Sequence, residues 1–246
     1  MKSNLNDLND YGYYIYQNDD YFKFSIDSVL LAEFVSVKKN KRKLLDICSG
    51  NAPIPMILEK KYGSRIDISA VEVQECVYDL GVKSLEYNNI NSIRYINNDI
   101  KNYKQFFKGE KFDIITCNPP YYKIYDEKEL NDNSVKAIAR HEILLTLEDV
   151  FSVTRALIEN MGTFYMVHRA ERVADICVLA NKYKFGIKQI QPVYNDRNSD
   201  CCFVLIEMIC NGKDYIKMNK PIFLKDYESY KNIFEGWFYE INSWIR

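Results

Sequence analysis

The chain is 246 residues long, 47% hydrophobic and 27% charged, which suits one large domain with a buried core and excludes disordered and collagen-like classes. A formal net charge of -1 excludes a global basic field, so a nucleic-acid partner has to be met by a local patch. Seven scattered cysteines with no Cys-x-x-Cys pair, two histidines in all and no apolar run near the ~18 residues of a spanning helix point to a cytosolic protein with no disulfide framework, structural metal or membrane span.

The opening MKSNLNDLNDYGYY carries neither a signal-peptide nor a transit pattern and begins an aromatic lead-in. A helix is expected over Ser28–Val37, with Ser25 or Asp27 as its cap. From Lys43 to Met208, short β-branched runs alternate with helical stretches, the pattern of a parallel sheet with crossover helices. Strands are expected at Lys43–Cys48, Arg65–Val71, Ile93–Asn97, Phe112–Cys117, Gly162–His168, Phe185–Pro192 and Cys201–Met208. The fold class is therefore α/β: a Rossmann-like, seven-stranded, mostly parallel sheet with helices on both faces. Val193–Asp200 is too short for a helical crossover, so the last strand is expected to run antiparallel. Tyr227, Tyr230, Ile233, Phe234, Trp237, Phe238, Ile241 and Trp244 recur at helical spacing and describe a terminal amphipathic helix, weakened near Gly236. The organisation expected is a lead-in over 1–42 that covers the pocket, a main domain over 43–225 and a helix over 226–246, all in one unit.

Four stretches carry chemistry. Leu44-Leu45-Asp46-Ile47-Cys48-Ser49-Gly50-Asn51-Ala52-Pro53 reads as a strand, a turn of small residues and a helix start with proline in its first turn. Ligands of open α/β sheets bind beyond the carboxyl ends of the strands, so this turn is placed to touch a nucleotide-like cofactor. Only Gly50 stands where a dinucleotide fold shows three glycines, and a cofactor lacking pyrophosphate fits better. Glu72, at the next strand end, suits the two hydroxyls of a ribose, and Asp99 suits an exocyclic amine or simply caps a helix. After Phe112–Cys117 comes Asn118-Pro119-Pro120-Tyr121, where two prolines remove two backbone donors and stiffen a row of acceptors that ends in an aromatic ring. That row suits a planar amide or amino group, held by the Asn118 oxygen and the Pro119 carbonyl, with Tyr121 stacked on the attached ring.

In this order, Asp46–Pro55, Glu72, Asp99 and Asn118-Pro119-Pro120-Tyr121 resemble the S-adenosylmethionine-dependent amino methyltransferases. Phe24–Leu31, Ala139-Arg140-His141-Glu142 and Met166-Val167-His168-Arg169 with Arg172 narrow the resemblance to the bacterial tRNA1(Val) adenosine-37 N6-methyltransferase family, over roughly residues 10–225. The resemblance implies S-adenosylmethionine as cofactor, held by Asp27, Asp46, Cys48, Gly50, Glu72, Asp99 and Asn118, and tRNA as partner. It implies catalytic roles for Asn118, Pro119 and Tyr121. An adenine N6 is a poor nucleophile because its lone pair is delocalised, and two fixed acceptors on its protons favour the tetrahedral nitrogen that attack requires. Lys123, Arg140, Arg169 and Arg172 are the expected phosphate contacts, with Lys128 and Lys136 in the same stretch, the alternative being a solvated loop. The basic run Lys38–Lys43 either binds RNA backbone or is a solvated connection. Departures are the glycine-poor turn and the aromatic tail, which the resemblance does not cover. Protein-glutamine and DNA adenine methyltransferases share the acceptor motif and stay open as alternatives, as does a binding module without turnover.

Overall fold

The computed structural model describes residues 4–8, 11–18, 21, 26–122, 135–140, 142–213 and 215–226. In chain order these form β1 (Asn4–Asp7), β2 (Tyr14–Gln17), α1 (Ile26–Phe34), β3 (Lys43–Ile47), α2 (Pro53–Tyr62), β4 (Asp67–Glu72), α3 (Glu75–Tyr87) and β5 (Ile93–Asn97). A short α4 (Tyr103–Phe106) leads to β6 (Phe112–Cys117), α5 (Val135–Arg140), α6 (Leu147–Leu157) and β7 (Ile158–Arg169). Then come α7 (Val173–Lys182), β8 (Phe185–Tyr194), β9 (Cys201–Cys210) and two short strands, β10 (Lys217–Met218) and β11 (Ile222–Phe223).

The seven expected strands form one sheet in the order β8-β9-β7-β6-β3-β4-β5, and β10 and β11 extend it by pairing with β8. From β7 to β5 the strands are parallel; β9 is antiparallel to both β7 and β8, as the short connection requires. Successive residues face opposite sides, which is why the strands read as continuous apolar runs. Leu44, Ile68, Ile114, Tyr165 and Leu205 pack with α1 and α2 on one face. Leu45, Val71, Ile115, Phe164 and Ile206 pack with α6 and α7 on the other. Chain order reverses at β3, whose neighbours are β4 and β6, and a doubly wound sheet opens a crevice at that point.

Some boundaries move. The first helix covers Ile26–Phe34, so Asp27 lies inside its first turn and accepts the Ser28 N–H at 2.7 Å. β7 starts before Gly162, because a register shift between Phe112 and Ile114, with Met161 at φ 60°, lets the chain leave α6 directly into the sheet. The lead-in contains a hairpin, β1–β2, that four-residue alternations do not announce. Its partners are distant in sequence: Ser84 accepts the Tyr16 N–H at 2.9 Å, and Asn88 both accepts from and donates to the Tyr14 backbone. The expected helix over Tyr227–Trp244 lies outside the described residues.

Candidate active site

The crevice is a cavity of about 640 Å³ at the carboxyl ends of β3, β4 and β6, within the range for small-ligand sites. Its first wall is the turn after β3. Cys48, Gly50 and Ala52 take φ of 61°, 57° and 71°, so every second residue is left-handed and only one is glycine. Each of the other two stores about 1–2 kcal/mol of backbone strain. Buried groups hold the turn in place. Asp46 accepts from the Ser49 hydroxyl at 2.6 Å and the Thr116 hydroxyl at 2.5 Å, Ser49 N–H donates to the Val71 carbonyl, and the Tyr95 hydroxyl donates to the Gly50 carbonyl.

Glu72 closes β4, lines the cavity and is 6% exposed. Its two carboxylate oxygens accept the Gly50 and Gln74 N–H groups, each at 2.9 Å. Burial pushes its carboxyl up, against those backbone donors. Each oxygen keeps a further lone pair for a hydroxyl. Asp99 also lines the cavity and accepts the Lys101 N–H at 2.9 Å, so it caps a helical turn and faces the site at once. A Cβ built on Gly50 meets no atom within 4 Å, so the turn leaves room beside its backbone. A paired carboxylate, a second carboxylate and an open backbone turn fit an adenosine-bearing cofactor without pyrophosphate.

The other wall is Asn118-Pro119-Pro120-Tyr121, which leaves β6 into the cavity. The Asn118 Nδ2–H donates to the Ser28 hydroxyl at 2.9 Å, and the Tyr121 hydroxyl reaches the Asn118 side-chain oxygen at 2.6 Å and the Asp27 carboxylate. The Tyr121 ring is half-buried on the cavity wall, 5.2 Å from His168 and 6.0 Å from Phe203. Burial, and then the Asp27 charge, raise its phenol well above the usual range. His168 is fully buried; burial and then Arg172 lower it to about 3, so it is neutral. Its Nδ1 accepts the Arg169 N–H at 2.9 Å.

Asp27, Cys48, Gly50, Glu72, Asp99, Asn118, Pro119, Tyr121 and Arg169 meet at this one cavity. Asp46 does not line it; it supports the turn from below. Arg172 is a correction: a phosphate contact needs an accessible guanidinium, and this one is 7% exposed. It pairs with Glu142 at 2.6 Å and Asp175 at 2.8 Å and donates to the Tyr121 carbonyl at 3.0 Å, so it anchors the acceptor motif. Lys123 and Lys128 lie outside the described residues, as do the side chains of Lys136 and Arg140. The run Lys38–Lys43 leads into the amino end of β3, the end away from the cavity, where Lys41 donates to Met161 and Lys43 pairs with Glu110. Sequence reading gave no role to Ser28, Tyr95, Glu142 and Phe203; Ser28 and Glu142 had a signal, their places in Phe24–Leu31 and Ala139–Glu142, and Tyr95 and Phe203 had none. Among the described residues there is no cluster fit to hold a metal, and no helix long and apolar enough to cross a membrane.

Residues 22–173 match the family model described as the methyltransferase small domain. A tRNA1(Val) (adenine(37)-N6)-methyltransferase of Aliivibrio salmonicida is 23% identical over 212 residues, covering 85% of this chain and 86% of that protein. Further bacterial proteins of the same name match at 21–26% identity. Among solved structures, a predicted O-methyltransferase of Agrobacterium tumefaciens superposes with a TM-score of 0.63 at 17% identity, over 80% of this chain and 87% of that one. A putative class I S-adenosylmethionine-dependent methyltransferase of Listeria monocytogenes gives 0.56 at 15%, over 90% and 69%.

Proposed function

The chain belongs to the methyltransferase small domain family and is an S-adenosylmethionine-dependent enzyme, and from that premise we propose that it methylates the N6 amine of an adenosine in tRNA, at position 37 of tRNA1(Val). The observation that carries this reading is the rigid acceptor row Asn118-Pro119-Pro120-Tyr121 on the same cavity wall system as Glu72 and Asp99. Glu72 would hold the ribose hydroxyls of the cofactor and Asp99 its adenine amine, with Cys48 and Gly50 as the turn beneath. When bound, the cofactor supplies an electrophilic methyl group on sulfur.

The chain's own part is orientation and charge. The Asn118 side-chain oxygen and the Pro119 carbonyl take the two N–H protons of the target amine, so positive charge that develops on nitrogen meets fixed dipoles. Proline at 119 and 120 keeps those acceptors from relaxing. Tyr121, already on the cavity wall, stacks on an extruded base. Arg172 holds the Tyr121 carbonyl throughout, so the turn has one fixed end. Arg169, 31% exposed at the cavity, is the described cation placed to meet a phosphate.

Replacing Asn118 by Ala is expected to lower single-turnover methyl transfer by ~10²-fold at saturating cofactor, the usual effect of losing one catalytic dipole. Turnover close to that of the unmodified protein removes Asn118 from the mechanism. Mass spectrometry of tRNA nucleosides, mapped to position in cells with and without the protein, tests the substrate. Methylation of a glutamine side chain or of DNA, with tRNA unchanged, replaces the reading.

A further inference from the structure

The Tyr121 hydroxyl carries one proton and stands against two acceptors, the Asp27 carboxylate and the Asn118 side-chain oxygen. We propose that Asp27 is a positioning residue for methyl transfer, which takes over the Tyr121 hydroxyl proton when an incoming amine claims the Asn118 oxygen. The inference rests on the reading that this oxygen receives the substrate amine, and it assigns Asp27 to the acceptor side of the reaction, where the family resemblance had implied a cofactor contact.

Three features support it. The Tyr121 hydroxyl already donates to one of the two lone pairs of the Asn118 oxygen, so as long as it points there a substrate N–H has to share that oxygen with it and is held more weakly. A buried hydroxyl left without an acceptor costs about as much as the new bond gains, unless a second acceptor is already in place. Asp27 supplies it: its carboxylate is 1% exposed, and its other oxygen is fixed by the Ser28 N–H in the first turn of α1, where the helix dipole favours an anion. Ser28 completes the exchange by accepting the Asn118 Nδ2–H, so the Asn118 oxygen keeps facing its two alternative donors and the amide does not rotate away. The beginning of α1 thus holds both side chains of the acceptor motif, from a helix 90 residues upstream.

The test is a double-mutant cycle on the full chain with an unmodified tRNA1(Val) transcript. Asp27→Asn sets an amide donor against the phenol oxygen and leaves Asn118 as the only acceptor for the Tyr121 proton, in competition with the substrate. Its kcat is expected to fall by about 10- to 100-fold, the worth of one hydrogen bond to a charged group. Calorimetric affinity for S-adenosylhomocysteine stays unchanged. Adding Tyr121→Phe removes the competing hydroxyl, so the double variant regains most of the loss although Tyr121→Phe alone lowers kcat. Asp27→Ala, which removes the acceptor without adding a donor, carries the same cycle if Asp27→Asn does not fold. A merely structural role gives losses that add, and additive losses overturn the proposal. So does a fall in S-adenosylhomocysteine affinity, which returns Asp27 to the cofactor. Full activity of Asn118→Ala sinks the amine-acceptor reading and this inference together, whereas a crippled Asn118→Ala beside an additive cycle sinks this inference alone.

Discussion

Asp46 is wholly buried, and its two oxygens are taken by the Ser49 and Thr116 hydroxyls. Burial, opposed by those two bonds, pushes its carboxyl from 3.8 up to about 7. The folded state therefore binds this proton more tightly than the unfolded chain does. Stability is unaffected by the group below pH 3.8 and declines as pH rises toward 7, where the carboxyl is charged in both states. Asp46→Asn lacks this titration. The melting temperature of the variant minus that of the unmodified protein is expected to rise between pH 4 and 7, and thermal scans across that range that stay parallel refute it. In the sequence, Asp46 was marked as a cofactor contact by the family resemblance. Its role beneath the turn rests in part on Thr116, seventy residues away, and that contact has no local signature.

At the level of elements, the turn after β3 depends on a contact between α3 and β5. A Cβ built on Gly81 falls 2.4 Å from the Tyr95 ring, which lies 4.6 Å from the Tyr78 ring and whose hydroxyl holds the Gly50 carbonyl. In Gly81→Ala the ring has to move by ~1 Å to restore an ordinary carbon contact. Alanine contributes roughly 1 kcal/mol of helix propensity, against about 1–3 kcal/mol for the overpacking. The net loss is about 0–2 kcal/mol, so the melting temperature is expected to fall by at most ~8 °C, while S-adenosylhomocysteine affinity, read by calorimetry, drops by ~3-fold or more although residue 81 lies off the cavity. Unchanged affinity uncouples Tyr95 from the turn. Strand positions were legible because a doubly buried strand has to be an unbroken apolar run, and Leu44-Leu45 and Ile114-Ile115 are such pairs. The β1–β2 hairpin was not, because its stability comes from Ser84 and Asn88 on α3 and not from its own alternation. Arg172 was misread for a related reason: a sequence shows a charge but not its partner, and Glu142 and Asp175 are what turn this cation inward.

For the whole molecule, a net charge of -1 and a cavity whose one described lining cation, Arg169, lies 3.8 Å from Glu171 imply few phosphate contacts. Each contact contributes about -0.9 to the slope of log affinity against log salt, and the slope for tRNA is expected to be shallower than about -4. Filter-binding titrations from 50 to 200 mM salt measure it, and a steeper slope places a broad basic surface on the protein. That Asn118–Tyr121, Glu72 and Asp99 lie together at one cavity was legible because parallel-sheet topology gathers strand ends whatever lies between them. The hydrogen bonds of the Tyr121 hydroxyl were not, since they depend on α1 meeting the segment after β6 across the cavity. The placing of β9 between β7 and β8 has a further consequence, for synthesis. Forty-one residues separate Arg169 from Cys210, so at about 5–20 residues per second roughly 2–8 s pass on the ribosome between completion of β7 and completion of the strand that covers it. β8 emerges in that interval but is not the neighbour of β7, so a nascent polypeptide presents an unprotected edge until translation passes Cys210. Chains stalled before that codon are substrates for chaperones and aggregation, whatever the quality of the cofactor half already made.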